Sequence, residues 1–273
     1  MKNFLTRALT GIIYATTIVA AICIHPYAFL VFFAIIVGLA LWEFYELVKN
    51  NKVQHKLIAI ASGIYLFMAS FFYAGGFASS YIFYPYIIFL LALLISSLYN
   101  NSPNPIGNCA MTFFAHFYCA GLLSTLNFIV FDPTTKLYYP YFAFLIFIFV
   151  WLNDTGAYLT GITFGKHHLF QRISPKKSWE GFWGGFMIVV LSSQAIAYFF
   201  PEVINWHHSL VLGILTVIFS TWGDLVESLL KRSGGVKDSG TLLPGHGGIL
   251  DRFDSIILTT PAIFIYIELF IRN

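Results

Sequence analysis

Residues 224–254 read DLVESLLKRSGGVKDSGTLLPGHGGILDRFD and interrupt an otherwise apolar sequence. They lie between the apolar runs LVLGILTVIF at 210–219 and SIILTTPAIFIYIELFI at 255–271. The stretch holds five of the chain's 12 acids and four of its 15 bases: Asp224, Glu227, Asp238, Asp251, Asp254, Lys231, Arg232, Lys237 and Arg252. Charge beside lipid-facing helices is costly and is kept mostly where function needs it. We therefore interpret this stretch as the candidate active site.

The rest of the chain has the composition of a membrane protein. Hydrophobic residues make up 58% of the 273 residues, charged residues only 10%, and the mean hydropathy is +0.77. A soluble domain has about 25% charged residues, and one membrane span needs about 20 apolar residues. The sequence predicts an all-α polytopic integral membrane protein with about nine transmembrane helices, at 8–24, 27–48, 57–74, 81–99, 108–131, 139–160, 181–200, 209–230 and 254–271.

The basic residues predict how these helices are oriented. With the N-terminus in the cytoplasm, Lys136 and Arg272 are the only bases on the outside, and the other lysines and arginines fall inside. Such a bias is typical of cytoplasmic segments. We expect an N-in/C-out protein of the inner cell membrane, with its active site and both polar loops, 161–180 and 231–253, facing the cytoplasm. The first helix is expected to be retained rather than cleaved as a secretory signal.

The first half of the chain offers little chemistry. We expect one membrane domain over residues 1–273, in which 1–105 are scaffold and lipid-contacting helices and 106–273 carry catalysis. Glu43 and Glu46 lie three residues apart at the inner end of the second span. One interpretation is an interfacial charge cluster that stabilises the helix end. The other is a contact with a lipid headgroup or another subunit.

The charged stretch places its carboxyl groups on two helix faces. Spacings of i, i+3, i+4 and i+7 put four residues on one face, namely Asp224, Glu227, Ser228 and Lys231. Asp251 and Asp254 project together from the start of the last span. Clustered carboxylates suit a hard cation such as Mg²⁺, which shares its coordination shell with substrate phosphates. Ion pairs with neighbouring bases are the alternative, but each contributes only about 0.2–0.5 kcal/mol on a helix.

Two glycine-rich segments follow between these faces. SGGVKDSG at 233–240 contains Lys237, and PGHGG at 244–248 contains His246. Glycines allow backbone N–H groups to approach phosphate oxygens, and a lysine adds a point charge. Neither segment has the Walker A pattern of a P-loop nucleotide-binding protein.

A second polar region lies upstream. Asp154 interrupts the sixth apolar run, where we expect that helix to leave the membrane or bend, among small residues that allow close helix packing. The segment SPKKS at 174–178 follows, with Pro175 expected to stiffen a turn and Ser178 to cap the next helix. Lys176 and Lys177 are equally compatible with a topology signal and with a phosphate cradle. Together these features favour phosphoryl or nucleotidyl transfer onto a lipid.

The segment SLLKRSGGVKDSGTLLPGHGGILDRFD at 228–254 resembles the signature of the phosphatidate cytidylyltransferases, or CDP-diglyceride synthetases. DTGAYLTGITFGKH at 154–167 and ISPKKSWEG at 173–181 resemble a second conserved region of that family, with Ser178 where threonine is commoner. The resemblance implies Mg²⁺-dependent transfer of the cytidylyl group of CTP to phosphatidate, which gives CDP-diacylglycerol and pyrophosphate for phospholipid biosynthesis. It also allows a second cation, such as K⁺, at the same centre.

The resemblance assigns roles to residues of this chain. It implies a metal centre at Asp224, Asp251 and Asp254, which with Lys237 form the catalytic set. It implies substrate-binding roles for Lys176, Lys177, Ser178, Lys231, Arg232, Asp238, His246, Gly247, Gly248 and Arg252, the two glycines through backbone that lines the triphosphate. It implies supporting roles for Asp154, Glu227 and Ser228.

Three other functions are compatible with parts of the sequence. A CTP-dependent polyprenol or phytol kinase shares the lipid and the nucleotide but lacks this full motif series. A cation-coupled transporter can contain similar intramembrane acids, but it needs no basic glycine-rich loop. The motif of the CDP-alcohol phosphotransferases is missing. The expected partners are CTP, phosphatidate and membrane lipids, with no nucleic acid, and a homodimer is left open.

Overall fold

A computed structural model describes residues 2–48, 55–240 and 247–272. His246 therefore lies outside the described residues. The chain forms two compact units, the first made of residues 1–140 and 233–252 and the second of 141–232 and 253–273. The glycine-rich segment thus belongs with the N-terminal helices as a compact body. The sequence analysis divided the chain at residue 105 by function, into scaffold helices and catalytic helices. The compact units do not test that division, which stays a prediction.

The first unit contains the N-terminal helices. Its elements are α1 (Lys2–Cys23), α2 (Pro26–Leu47), α3 (Lys56–Ala74), a 3-10 turn (Ser80–Phe83), α4 (Tyr84–Ser97), α5 (Pro105–Ala115), a π-helical turn (His116–Gly121) and α6 (Leu122–Val130). Proline at the first position begins α2 and α5, where the missing N–H is not needed and φ is already helical. Asn104 caps α5 by accepting a hydrogen bond of 2.9 Å from the Gly107 N–H.

Aromatic side chains fill the core of this unit. Phe29 on α2 stacks or tilts against Phe33, Phe67 and Phe71, with ring centroids 4.7–6.4 Å apart, and all four rings are fully buried. Rings at such offsets add about 0.5–1.5 kcal/mol per pair beyond the area they bury. Phenylalanine packing therefore joins α2 to α3 within this unit.

The second unit contains the remaining helices and a hairpin. Its elements are α7 (Tyr141–Phe164), β1 (His168–Phe170), β2 (Ser174–Ser178), α8 (Trp179–Phe199), α9 (Trp206–Ser233, of which Ser233 lies in the first unit) and α10 (Leu250–Phe270, whose first turn lies in the first unit). The two strands are antiparallel and pair His168 with Ser178 and Phe170 with Ser174.

Small residues bring α7 and α8 into close contact; the sequence predicted close helix packing beside Asp154 without indicating the partner helix. A Cβ added to Gly185 would lie 2.9 Å from the backbone oxygen of Asn153, and one added to Gly156 would lie 3.0 Å from the Cα of Gly185. Contacts this short leave no space for a methyl group, and small residues are what permits close approach of helices in membranes.

The helical pattern agrees with a polytopic membrane protein. Within the described residues, eight helical segments are long and apolar enough to span a membrane, and residues 11–23 of α1 form a shorter apolar helix. Together they account for the nine apolar runs of the sequence. The predicted α class is confirmed, and the chain is an integral membrane protein.

α7 continues through Asp154 to Phe164, and α8 packs against its glycines. That this run leaves the membrane or bends at the acid stays a prediction. One local expectation was wrong. Pro175 lies within strand β2 rather than in a turn. A two-stranded ribbon at its edge tolerates proline, since an N–H on that side is not required.

We expect Gly185→Ala to destabilise the protein by about 1–3 kcal/mol, because an overpacked interface must shift side chains or backbone. Gly161→Ala is the matched control, since its Cβ would meet only Ser178 Oγ at 3.5 Å and Gly181 Cα at 3.7 Å. Melting temperatures of the two purified variants in one detergent measure the difference. Equal melting temperatures would contradict the close packing of α7 and α8.

Candidate functional site

Three carboxyl groups of the second unit form a cluster. Asp224 and Glu227 lie on α9 and Asp254 lies on α10, with one carboxylate oxygen of each within 4.8 Å of the others. Gly223 allows this approach, because a Cβ there would lie 3.1 Å from the Cα of Ser255. The Glu227 side chain is completely buried. Such a concentration of carboxylate oxygens suits a hard divalent cation.

The cluster has two lysine partners in the same unit. Lys231 Nζ lies 2.6 Å from Glu227 Oε2, one helical turn further along α9. Lys177 Nζ, on strand β2, lies 2.5 Å from Asp224 Oδ2. Ser228 Oγ donates to Asp224 Oδ1 at 3.2 Å. Desolvated carboxylates need such compensation, because each uncompensated buried ion costs several kcal/mol.

A cavity of about 370 Å³ adjoins the cluster. Its polar lining comes from Asn153, Asp154, Ser174, Lys176, Lys177, Ser178, Ser220, Thr221 and Asp224, and its apolar lining includes Ala157, Tyr158, Leu169 and Phe182. Asp224 therefore belongs both to the carboxylate cluster and to the cavity. The cavity thus joins basic and carboxylate groups to an apolar wall.

The hairpin that carries the lysine pair is held at both ends. Glu180, in the first turn of α8, accepts hydrogen bonds from the N–H groups of Lys166 and His167 at 3.1 and 3.2 Å and contacts His167 Nδ1 at 2.5 Å. Ser178 caps α8, as predicted, since its Oγ accepts from the Gly181 N–H at 3.1 Å. These contacts hold the residues before β1 and the last residue of β2, and so they fix the position of the strand that contains Lys176 and Lys177.

Asn153 is a cavity residue that the sequence analysis missed. It is buried, and its Nδ2 donates to Ser220 Oγ on α9 at 3.0 Å. Its Oδ1 is buried with no hydrogen-bond partner among the described residues. The sequence does show a second polar side chain next to Asp154 in an apolar run. A single amide in a helix is common, however, and does not by itself predict a cavity residue.

The first unit contains the described part of the predicted site that lies between Ser233 and Arg252. Asp251 Oδ2 accepts three hydrogen bonds, from the Ser239 N–H at 3.0 Å, the Ser239 hydroxyl at 3.0 Å and the Gly248 N–H at 2.8 Å. The Gly248 amide, which the sequence analysis assigned to a triphosphate, therefore has a protein partner here. Gly247 has φ of +82°, a conformation that favours glycine. The roles of Asp251 and of both glycines toward metal and nucleotide stay predictions.

Glu43 is the second residue whose role sequence reasoning did not find. It is 3% exposed, whereas Glu46 is part-exposed and pairs with Lys56 at 2.5 Å. The Glu43 carboxylate accepts from the N–H groups of Ile249 and Leu250, each at 2.8 Å, and from the Ser239 hydroxyl at 2.9 Å. It caps α10 from a helix two hundred residues away in sequence.

The other predicted substrate residues are exposed. Arg232, Lys237, Asp238 and Arg252 all present accessible side chains, and the Arg252 carbonyl accepts from the Tyr14 hydroxyl at 3.2 Å. Arginine and lysine side chains form charge-assisted hydrogen bonds with phosphates. Their assignment to CTP or phosphatidate stays a prediction.

Comparison with known proteins is consistent with this site. A segment of 127 residues, 46% of this chain, is 50% identical to the phosphatidate cytidylyltransferase of Staphylococcus aureus (strain COL) and covers 48% of it. The same-named protein of Staphylococcus haemolyticus (strain JCSC1435) is 48% identical over 127 residues, with the same two shares. The chain thus spans about half the length of the curated relatives it matches. The model of the cytidylyltransferase family matches residues 5–270, and the chain therefore belongs to the cytidylyltransferase family.

Proposed function

We propose that this protein transfers the cytidylyl group of CTP to phosphatidate, with CDP-diacylglycerol and pyrophosphate as products. The observation that carries the proposal is that Asp224 belongs both to a buried carboxylate cluster and to a cavity lined by two lysines. Family membership and the names of the relatives support the nucleotide and the lipid.

The carboxylate cluster fits a divalent metal ion, and we assign it Mg²⁺. Its donors are all carboxylate oxygens, on two helices of one unit, and one of them is fully buried. Hard cations bind such oxygens and share their shell with phosphates. When bound, the ion supplies charge neutralisation at the reacting phosphoryl oxygens. A second cation such as K⁺ is part of the same proposal.

The lysines neutralise the phosphates that meet in the cavity. A phosphate oxygen of phosphatidate forms a bond to the α-phosphorus of CTP, and the bond from that phosphorus to the bridging oxygen of the β-phosphate breaks. The electron pair leaves with pyrophosphate. Because the attacking oxygen is already ionised at neutral pH, no strong general base is needed, and positioning with charge neutralisation dominates. In this proposal Lys176 and Lys177 hold the phosphates, and Tyr158 and Phe182 belong to the apolar lining of the same cavity.

Pyrophosphate release tests the reaction directly. We expect the detergent-purified protein to release pyrophosphate only when phosphatidate, CTP and Mg²⁺ are all present, with CDP-diacylglycerol as the lipid product. Omitting each component in turn is the control. Release of CDP with a phosphorylated lipid would instead indicate a lipid kinase. No turnover with any lipid acceptor, in a folded sample, would favour a transporter.

Glu227→Gln and Asp254→Asn should each lower kcat at least about 100-fold, because loss of a metal carboxylate removes several kcal/mol of charge stabilisation. Glu202→Gln is the matched control, since Glu202 is exposed and lies outside the cluster and the cavity. The comparison uses pyrophosphate release at saturating CTP, with melting temperature measured in parallel. Wild-type kcat in both cluster variants would remove these carboxylates from the mechanism.

We propose that the site faces the cytoplasm, with an N-in/C-out topology in the inner cell membrane. The support is the positive-inside bias, since the hairpin and the glycine-rich segment contain Lys176, Lys177 and Lys237 whereas the loop after α6 contains only Lys136. CTP is a cytoplasmic nucleotide, which agrees with this orientation. In this proposal membrane lipids surround the exposed apolar helix faces. These faces are also compatible with a homodimer.

Labelling of single cysteines tests the orientation. In a variant that lacks Cys23, Cys109 and Cys119, we expect Arg172→Cys to react with an impermeant maleimide in inverted vesicles and Thr134→Cys to react in right-side-out vesicles. Both positions are exposed and lie in loops, so accessibility to the reagent depends on the side of the membrane. The reverse pattern would contradict the proposed topology.

A further inference from the structure

The Glu43 carboxylate shares a hydroxyl group with Asp251. Ser239 Oγ lies 2.9 Å from Glu43 Oε2 and 3.0 Å from Asp251 Oδ2, so its single O–H can donate to either carboxylate. All three residues belong to the first unit, and Ser239 and Glu43 are buried. A change at Glu43 therefore reaches Asp251 through one hydroxyl group.

Glu43 also fixes the start of the helix that carries Asp251. Its two oxygens accept from the N–H groups of Ile249 and Leu250, the last residue before α10 and the first residue within it. N–H groups at a helix start lack partners within the helix, and a negative charge there interacts favourably with the helix dipole. Asp251 is the next residue, so its backbone is anchored by this cap.

The glycines around Glu43 show that the contact is closely fitted. A Cβ on Gly240 would lie 2.7 Å from Glu43 Oε1, and a Cβ on Gly248 would lie 2.7 Å from Glu43 Cδ. Both positions therefore need glycine because a carboxylate occupies the space that a side chain would take. This explains two glycines of the signature segment without reference to a phosphate.

We propose that Glu43 is a positioning residue, which sets the rate of cytidylyl transfer by holding Asp251 and the first turn of α10. It acts through the Ser239 hydroxyl and the two amides and touches no substrate. This inference rests on the proposed function together with the catalytic role that the family resemblance predicts for Asp251. Through Glu43, helix α2, which was expected to serve only as scaffold, affects the rate of the reaction.

Glu43→Gln tests the proposal with little change in side-chain volume. Both carboxylate oxygens accept from backbone N–H groups, and a glutamine can offer an oxygen to only one of them, so its NH₂ would face a donor. We expect kcat to fall about 10–100-fold, as is typical when a residue that orients a metal or catalytic group is lost, with a smaller change in KM for CTP. Glu46→Gln, on the same helix with the same loss of charge, should keep kcat near the wild-type value.

Two further variants separate positioning from stability. Ser239→Ala removes the shared hydroxyl but leaves the Glu43 cap of α10, so we expect a partial loss of kcat at a wild-type melting temperature. Glu43→Asp keeps the charge and should recover part of the kcat lost in Glu43→Gln. Wild-type kcat in both Glu43→Gln and Ser239→Ala would overturn the proposal, as would an equal loss in Glu46→Gln.

Hydrogen–deuterium exchange gives a readout that does not depend on turnover. We expect the Ile249 and Leu250 amides, in the peptide covering 247–253, to exchange faster in Glu43→Gln and at the wild-type rate in Glu46→Gln, because Glu43 and not Glu46 accepts their hydrogen bonds. Unchanged exchange in Glu43→Gln would overturn the proposal even if activity fell. If the wild-type protein itself releases no pyrophosphate, the proposed function fails, and exchange alone then decides whether Glu43 holds this segment.

Discussion

Buried carboxylates are the constraint on which both halves of this structure depend. Glu227 is fully buried and is compensated by Lys231 one turn along the same helix, whereas Glu43 is compensated by two amides and a hydroxyl. Removing the partners of either carboxylate would leave an ion in an apolar environment, at a cost of several kcal/mol. The two kinds of compensation, an ion pair and a set of neutral donors, have different consequences. An ion pair within one helix is local, but a cap from α2 joins segments that are far apart in sequence.

The glycine-rich segment has a structural role that its composition does not reveal. Gly240 and Gly248 leave space for the Glu43 carboxylate, and a Cβ on Gly247 would lie 2.6 Å from Asp251 Oδ2. Glycine-rich loops commonly bring amides to phosphates, and the same freedom of approach serves protein carboxylates here. The described part of the segment is therefore held by the acids of its own unit, and the exposed Lys237 side chain extends from that backbone.

The sequence predicted the helical class, the apolar runs and close helix packing beside Asp154, because composition and small residues indicate which surfaces are buried. The family resemblance implied a metal centre at Asp224, Asp251 and Asp254. Asp224 and Asp254 lie in one cluster with Glu227, which was expected in a supporting role, and the role of Asp251 stays a prediction. It did not predict the hairpin at 168–178, since two short strands with a proline have no clear alternation. Nor did it predict the cap by Glu43, because no local pattern links a residue of α2 to the start of α10.

The choice of neutral donors for Glu43 has an electrostatic consequence. Among the described residues its hydrogen bonds come from amides and a hydroxyl rather than from a lysine or arginine. The cap therefore adds negative charge to the segment without pairing with its bases. Lys237 in the glycine-rich segment and Arg252 in the first turn of α10 are exposed, and in formal charge they offset Asp238 and Asp251. Hydrogen bonds to the Glu43 and Asp251 carboxylates thus help to fix the backbone that carries these two bases.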